Sequence, residues 1–421
     1  MTSVSQWVRA VLKRESGYCT RGMWVWSRQF FGDFLTSVMI HKTTIMGKLG
    51  MNPKKNSEKN AERSRHFLEK ESFLKLPQYV ERRCFALVWE VNNDEYICLD
   101  EVDVAKPCAN TMEGLSLVRD SSEWTIVNGY MFHGASIRGV PVILDHEDLD
   151  TYTKNQVWKG MITRIVKHVG KITEGEYAWK TKGIFLMDAY YEITSYLDFL
   201  TEKQCSFIIR ARRDRIWVDA ETNKERRIED FAPWVHAVRL PGKDYTLFLH
   251  VKQYEGFEKP LRVVTNRATW TKDGEIFHAC DLYFQRWEIE RVFKTMKQEF
   301  QLEKIRVQSL TILKNIFAVI QLAMALANAF FNSETQQKQN VIKGTEFFKA
   351  SKSFQKHFDK YVRRRWLTMN RNSIVSFISF SLERFYRRPP KYHLKSIDRN
   401  PKDSAQQRLF TVMGLRKSGW V

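Results

Sequence analysis

Hydrophobic and polar positions follow two different periods along this chain, and the first region has the period of helices. Between Trp24 and Ile40 aromatic and aliphatic residues recur at helical spacing, and a break containing Gly, Asn and Pro follows. A second helix, rich in Lys and Arg, is predicted from about Ser57 to Phe73. Residues 1–75 are therefore predicted to form a basic helical region.

The middle of the chain changes to short strands joined by helices. The apolar run Glu95–Asp100 and two runs within 112–145 predict three strands. The stretch Val157–Val166 has the pattern of an amphipathic helix, and Gly183–Asp188 is a continuous apolar run typical of a strand buried on both faces. With the next helix and the run Ser206–Arg210, it predicts a strand, helix, strand unit and an α/β fold.

The rest of the chain divides into a β-rich segment, an apolar helix and a basic segment. Short strand-like runs with Gly and Pro turns fill residues 216–278. The run Ile316–Phe331 is the longest apolar one, but it contains Gln321 and Asn328 and is short for a bilayer span. A buried core helix is therefore predicted there, and residues 333–421 read as a basic helical C-terminal region.

Composition points to a polyanionic partner. The chain of 421 residues has 68 Lys and Arg against 48 Asp and Glu, a formal net charge of +20. Such an excess suits phosphate neutralisation, which supplies most non-specific affinity for nucleic acid. The six cysteines show no paired metal-ligand spacing and predict reduced, mostly buried thiols. The charged, amphipathic start has no secretory signal pattern, so a cytoplasmic protein is expected.

The most distinctive pattern is YFQRWEIERVFKTMK, residues 283–297. At about 100° per residue, Tyr283, Arg286, Glu290 and Lys297 fall within roughly 60° of one another on one face of a helix. The adjoining face is apolar and predicts a buried stripe. Such a helix would present one carboxylate flanked by two cations and a phenol. The stripe consists of Ile289, Val292, Phe293, Met296 and Phe300.

This spacing, Y-x2-R-x3-E-x6-K, resembles the signature of bacterial insertion-sequence transposases of the DDE type, the insertion-sequence-four superfamily. The resemblance spans about residues 95–330 and is most specific near Asp188 and Glu290. It implies a ribonuclease-H-like catalytic core, a mixed sheet flanked by helices, at residues 90–213 and 278–332. A β-rich insertion at 214–277 is implied, with helical regions at the two ends, and residues 1–75 are then either a DNA-end-binding region or a structural cap.

The resemblance implies that three carboxylates form the catalytic site. Glu290 is the third acid, and Asp188, at the end of the strand Gly183–Asp188, is the second. Asp100 is predicted as the first, because it directly follows an apolar strand; the sequence departs from the family there and leaves Asp103 as an alternative. The acidic residues between 145 and 150 are interpreted as a solvated loop or helix start, not as a metal site.

The implied cofactor is a pair of Mg²⁺ ions, with Mn²⁺ as a substitute, held by Asp100, Asp188 and Glu290. Hard divalent cations prefer carboxylate oxygens and require neither His nor Cys. Two such ions about 4 Å apart activate water and stabilise the leaving 3′ oxygen in phosphodiester cleavage.

The resemblance also implies the DNA-contacting residues. Arg286 and Lys297 are predicted to hold phosphates, Tyr283 to donate to a phosphate or stack, and Arg210 to be a weaker phosphate ligand. Trp234 and Trp270 are candidates for base stacking, although a core position is favoured for each. The basic C-terminal region fits DNA contact, a second protomer or a solvated tail equally well.

The predicted function is cut-and-paste DNA transposition, excision and strand transfer of an insertion sequence. The expected partners are double-stranded DNA, as transposon ends and target, and a second copy in a paired-end homodimer in the bacterial cytoplasm. An inactive DNA-binding protein derived from such an element is the alternative and would have lost an acid. A repair nuclease with a ribonuclease-H fold would need neither the 283–297 pattern nor the long β-rich insertion.

Overall fold

A computed structural model describes residues 57–88, 91–120, 125–147, 154–172, 180–272 and 275–332, with positions 30–32, 34, 35, 38 and 46 before them. The predicted basic C-terminal region and most of the first predicted helix lie outside these residues. The chain divides into two compact units. One comprises 1–87, 110–113 and 294–421, and the other comprises 88–109 and 114–293.

The described helices are α1 (Ser57–Leu68), α2 (Leu76–Val88), α3 (Lys154–Val169), α4 (Thr194–Glu202), α5 (Ala279–Tyr283), α6 (Trp287–Gln298) and α7 (Leu310–Asn332). The described strands are β1 (Tyr96–Ala105), β2 (Ser116–Asp120), β3 (Thr125–Ile137), β4 (Val140–His146), β5 (Ile184–Met187), β6 (Ser206–Arg210), β7 (Ile216–Asp219), β8 (Glu225–Arg227), β9 (Val235–Arg239), β10 (Leu247–Lys252), β11 (Leu261–Thr265), β12 (Trp270–Lys272) and β13 (Glu275–Phe277). The protein is thus mixed α/β, as the sequence predicts.

One large mixed sheet organises the second unit. Its strand order is β2-β3-β1-β5-β6-β11-β10-β9-β7-β8, and β4 also pairs with β3. Strands β1, β5 and β6 run parallel to one another, whereas β1, β3 and β4 form antiparallel pairs. The four residues of β5 are all buried, which suits a strand at the centre of a sheet with both faces covered. The strand predicted over Gly183–Asp188 is therefore confirmed.

Strand β1 differs from its prediction. The sequence predicts that the strand stops at Asp100, but β1 continues to Ala105 and pairs with β3 along that length. Beyond Asp100 its residues alternate between polar and apolar, because one face of this half is less covered than the other. Asp100 therefore lies within a strand and not directly after one.

The β-rich segment forms as predicted, but most of it extends the same sheet. Strand β11 pairs with β6 through Arg210 and Val263, and β10, β9, β7 and β8 follow outward. The hairpin of β12 and β13 forms a separate two-stranded sheet. The strands of this segment continue the hydrogen bonding of the sheet, so the sheet itself marks no boundary at 214 or 277. The domain boundaries proposed at these two positions remain a prediction.

The described part of the first unit is helical. In helix α7 every side chain from Asn315 to Leu326 is buried, which confirms the predicted core helix. Asn315 on α7 donates to the carbonyl of Leu68 at 2.8 Å and so satisfies the end of α1. Among the described residues, no helix has the length and apolarity needed to cross a membrane.

Candidate active site

Four neighbouring strands place functional side chains in one row across the sheet. Asp100 on β1 lies opposite Gly134 on β3. Strands β1 and β5 pair with a constant offset up to Cys98 and Leu186, and two more residues at that offset bring Asp100 opposite Asp188. Strands β5 and β6 pair up to Met187 and Ile209, and the next residues are Asp188 and Arg210. Residues aligned in register point to the same face of a sheet, so this row forms one polar site.

A turn between two helices covers the row. The sequence predicts one helix over residues 283–297, but the structure has α5, a 3₁₀ turn at Phe284–Arg286, and then α6. The thiol of Cys98 on β1 donates to the carbonyl of Gln285 at 3.5 Å, which holds this turn against the strand. The predicted apolar stripe of α6 is buried, in agreement with the sequence.

Arg286 joins two of the three predicted acids. Its Nη1 lies 2.7 Å from Oδ2 of Asp100, and its Nη2 lies 2.5 Å from Oε1 of Glu290. Arg286 itself is only 8% exposed and its pair with Asp100 is largely shielded from water, whereas the side chain of Glu290 is 40% exposed. The planar fork of the guanidinium suits such a bridge between two carboxylates.

Backbone groups hold the other oxygens of the acids. Oδ1 of Asp100 accepts from the amide of Glu101 at 3.0 Å. Oδ1 of Asp188 accepts from the amide of Tyr190 at 2.6 Å and so caps the short turn that follows β5. Capping by a side-chain oxygen fixes the orientation of the carboxylate. Asp100 and Asp188 are therefore each oriented by a backbone amide, whereas Glu290 is held by Arg286.

The charge balance of the site is negative. Burial raises the pKa of the Asp100 carboxyl to about 6, although the adjacent Arg286 opposes this rise. Burial by itself lowers the pKa of the Arg286 guanidinium. The neighbouring Tyr283, Asp100 and Glu290 raise this pKa by more, so it lies above its ordinary value. Arg286 and Arg210 together do not neutralise the three carboxylates, so the site favours the approach of a further cation.

Gly134 permits the close approach of α6 to the sheet. A Cβ atom at this position would lie 2.7 Å from Cζ and 2.8 Å from Cε1 of Phe293, well inside contact distance. The ring of Phe293 thus occupies the place of the missing side chain, directly beside Asp100. Since Phe293 and Glu290 share α6, the glycine sets the separation of Glu290 from Asp100. Sequence analysis missed this residue, although a Gly inside a strand pattern signals such an approach.

A second missed group holds the turn after Asp188. The buried carboxylate of Glu192 accepts from the amide of Arg212 at 2.6 Å, and Arg215 donates to Thr194 at 2.7 Å and to the carbonyl of Glu192. Burial raises the pKa of Glu192 to about 7, against the opposing hydrogen bond from Arg212. No periodic signal marks Glu192, because its burial arises from the loop after β6 folding back over it.

A third group anchors the start of the covering turn. Asp281 on α5 accepts from Nζ of Lys252 on β10 at 2.7 Å through both oxygens, and from the hydroxyl of Tyr254 at 2.6 Å. These bonds outweigh the effect of burial and lower the pKa of Asp281. Because α5 leads directly into the turn carrying Arg286, this cluster ties that turn to the β-rich segment.

The other predicted site residues differ from one another in exposure and in their position relative to the three acids. Lys297 forms an ion pair with Glu303 at 3.6 Å and belongs to the first unit, two helical turns beyond Glu290. Tyr283 is buried, and burial raises the pKa of its phenol to about 12. Arg210 is exposed at the end of β6. Asp103 differs from Asp100 by an odd number of residues along β1, so it faces the opposite side of the sheet.

The structure agrees with the core prediction for Trp270 but contradicts the predictions for Trp234 and for Glu147 in the acidic stretch. Trp270 is 2% exposed, as the core interpretation predicts, but Trp234 is 73% exposed, so that interpretation is wrong for it. Of the acidic stretch, Glu147 is buried and lies 2.5 Å from Nε2 of the buried His133, which contradicts a solvated loop at that residue. It follows β4 directly, and the sheet carries it inward.

The acids fit a divalent metal in chemistry but not in their present arrangement. Carboxylates are the donors that Mg²⁺ and Mn²⁺ prefer. Among the described residues, however, no group of three or more Asp, Glu, His or Cys side chains lies close enough to hold an ion. Both oxygens of Asp100 are already engaged, and Arg286 lies between Asp100 and Glu290. The three acids do not form a ligand set as they stand.

Comparisons with known proteins match part of the chain to one family. Residues 158–326, less than half of the chain, match the family described as Transposase DDE domain. The matched segment includes Asp188 and Glu290 and ends before the end of α7. No relative among the curated proteins matches the chain.

A similar solved structure is the cryo-EM structure of a piggyBac transposase synaptic complex with hairpin DNA. It shares 11% sequence identity with a TM-score of 0.40, covering 93% of this chain and 77% of the other. At this TM-score the similarity carries no argument about fold or activity.

Proposed function

We propose that this protein is a DDE transposase of the insertion-sequence-four superfamily, which excises a DNA element and joins it to a target. One observation supports it most directly: Asp100 on β1 and Asp188, directly after the neighbouring parallel strand β5, lie in line, and Arg286 bridges Asp100 to Glu290. The match of residues 158–326 to the Transposase DDE domain supports the same class. The strand order β4-β3-β1-β5-β6 suits a ribonuclease-H-like core.

In this proposal the chain's own groups bind and orient DNA. Arg286, Lys297 and Arg210 bind phosphates of the transferred end, since guanidinium and ammonium groups pair well with phosphate oxygens. The buried Tyr283 supports Arg286, whose guanidinium carbon lies 5.7 Å from the centre of the tyrosine ring. The 3′-OH freed by cleavage serves as the nucleophile in strand transfer, so no covalent enzyme intermediate is required.

The proposed cofactor is Mg²⁺, with Mn²⁺ as a substitute, held as two ions by Asp100, Asp188 and Glu290. Bound divalent ions activate water and stabilise charge on the scissile phosphate. A homodimer on paired DNA ends and a cytoplasmic, nucleoid-associated location are further parts of the proposal.

A second candidate is a DNA-binding protein without catalytic activity, derived from such an element. The observation that favours it is the engagement of Asp100 and Glu290 by Arg286, with no group of three ligands gathered among the described residues. Under this alternative the net charge of +20 serves binding alone.

Cleavage of a supercoiled plasmid that carries the DNA flanking the coding sequence separates the two candidates. Wild type is compared with Asp188→Asn and Glu290→Gln in Mg²⁺ or Mn²⁺, and exposed Glu258→Gln is the control. Both isosteric variants are expected to lose cleavage by about a thousandfold or more, because each removes several kcal/mol of transition-state stabilisation.

In a gel shift, the two variants should retain binding to the same DNA, since neither removes a phosphate-binding cation. Equal DNA binding by all four proteins with no cleavage by wild type would leave only the DNA-binding candidate. Cleavage that persists in both acid variants would exclude these residues from the catalytic site.

A further inference from the structure

Arg286 occupies the space between two of the three proposed metal ligands. It reaches Oδ2 of Asp100 at 2.7 Å and Oε1 of Glu290 at 2.5 Å with different nitrogens of one guanidinium. The group therefore spans the gap between the carboxylates, where a cation shared by them would have to lie. Because Arg286 and Asp100 are largely buried, water weakens their contact little, whereas the contact with Glu290 is partly open to solvent.

A divalent ion and this guanidinium exclude each other. Mg²⁺ requires oxygens at about 2.0–2.1 Å, and Oδ2 of Asp100 and Oε1 of Glu290, the oxygens that face the gap, accept from Arg286 instead. Two cations in one gap between these carboxylates also repel each other, since Arg286 and Asp100 are largely shielded from water. The absence of a three-ligand group among the described residues agrees with this exclusion.

Arg286 lies in a turn, and the contacts that hold this turn involve neighbouring residues and not its guanidinium. It is the last residue of the short turn Phe284–Arg286 between α5 and α6, whereas Asp100 belongs to a strand held on both sides. Its Nε is buried and has no hydrogen-bond acceptor among the described residues, so the guanidinium is only partly satisfied by the two acids. A phosphate offers more acceptor oxygens in a geometry that also suits the guanidinium fork.

We propose that Arg286 acts as an internal cation that keeps Asp100 and Glu290 from binding metal until a DNA phosphate takes the guanidinium. Metal loading is thereby coupled to DNA binding, and the free protein is held in a metal-poor, inactive state. This inference rests on the proposed function, because it assumes that Asp100, Asp188 and Glu290 are the ligands.

The test is Mn²⁺ binding without DNA, measured by electron paramagnetic resonance of the free ion. Wild type, Arg286→Gln, Arg286→Lys and Arg291→Gln are compared; the last removes the same charge from an exposed position on α6. Arg286→Gln is expected to bind Mn²⁺ about tenfold more tightly than wild type or Arg291→Gln. Arg286→Lys keeps the charge but loses the bidentate bridge, so its affinity should lie between those of wild type and Arg286→Gln.

A second arm adds a short DNA duplex. DNA should raise the Mn²⁺ affinity of wild type by about tenfold and that of Arg286→Gln much less, because only wild type has a guanidinium to displace. Circular dichroism checks that each variant is folded, and Arg286→Lys serves if Arg286→Gln is not.

The proposal is overturned if neither Arg286 variant binds Mn²⁺ more tightly than wild type, or if Arg291→Gln gains as much as Arg286→Gln. If wild type binds Mn²⁺ tightly without DNA and Glu290→Gln abolishes that binding, the metal site of the proposed function stands and the coupling alone falls. If no variant binds Mn²⁺ with or without DNA, both fall.

Discussion

The absence of a side chain at Gly134 determines how closely Glu290 approaches Asp100. An added methyl group would collide with the ring of Phe293, and because the ring is buried, any movement of it displaces the atoms packed around it. The helix must then move outward and carry Glu290 with it. A shift of this kind acts on function more than on folding, because α6 can move while the sheet remains intact.

Gly134→Ala is therefore expected to reduce plasmid cleavage at least about tenfold, since small misplacements of catalytic groups are costly. Its free energy of unfolding should fall by about 1–3 kcal/mol, as for other overpacked cores. The double variant Gly134→Ala with Phe293→Leu removes part of the ring and should recover part of the activity. Cleavage assays and urea unfolding measure the two effects.

Gly160→Ala is the matched control. A Cβ atom there would meet only Nη1 of Arg164 at 4.0 Å, and the residue lies within α3. This change should leave cleavage unaltered and raise the free energy of unfolding by about 0.5–1 kcal/mol, because Ala suits a helix better than Gly. Unaltered cleavage by Gly134→Ala would show that the glycine does not set the position of Glu290.

At the scale of elements, one carboxylate cluster fixes the segment that carries Arg286. Asp281 on α5 binds Lys252 and Tyr254 of the β-rich segment, and the turn with Arg286 begins right after α5. A chemically matching cluster lies elsewhere in the same unit. There, Asp198 on α4 binds Nζ of Lys243 and the hydroxyl of Tyr245, each at 2.8 Å.

Asp281→Asn and Asp198→Asn should thus cost similar stability, about 1 kcal/mol or less each, because both ion pairs are partly exposed to solvent. Only Asp281→Asn is expected to lower plasmid cleavage, by a few-fold, since it loosens the support of Arg286. Thermal unfolding and cleavage of the two variants are measured side by side. Equal cleavage by both variants would mean that the anchor of α5 does not affect the site.

The sequence predicts elements well where one pattern repeats without interruption. The all-apolar β5 and the long α7 follow directly from their hydrophobic runs. The break at Phe284–Arg286 is not predictable, because the helical period of the side chains continues across the 3₁₀ turn. The length of β1 is not predictable for a related reason: its continuous apolar run ends at the first carboxylate, and its second half alternates polar and apolar residues.

At the scale of the whole molecule, the site depends on strand register, which local patterns do not specify. Spacing within 283–297 predicts that Arg286 and Glu290 lie on neighbouring turns, and the apolar runs predict where Asp100 and Asp188 fall in their strands. Their alignment across β1, β5 and β6, and the glycine beside them, arise from pairing between distant segments. A period of two along each strand fixes its faces but not its partner or its register.

The net charge of +20 is the property of the whole chain that bears on its proposed partner. We assume that DNA binding neutralises about 6–10 phosphates. A plot of the logarithm of the association constant against the logarithm of salt concentration, for a duplex of unrelated sequence, should then have a slope of about −5 to −9.

Arg210→Gln removes one exposed cation beside Asp188, so it should make the slope shallower by about 1. Arg227→Gln, at an exposed arginine that is already paired with Glu229, should change it less. Fluorescence anisotropy at several salt concentrations gives both slopes. A slope near zero for wild type would rule out phosphate neutralisation as the source of affinity, and equal slopes for the two variants would exclude Arg210 from the DNA contact.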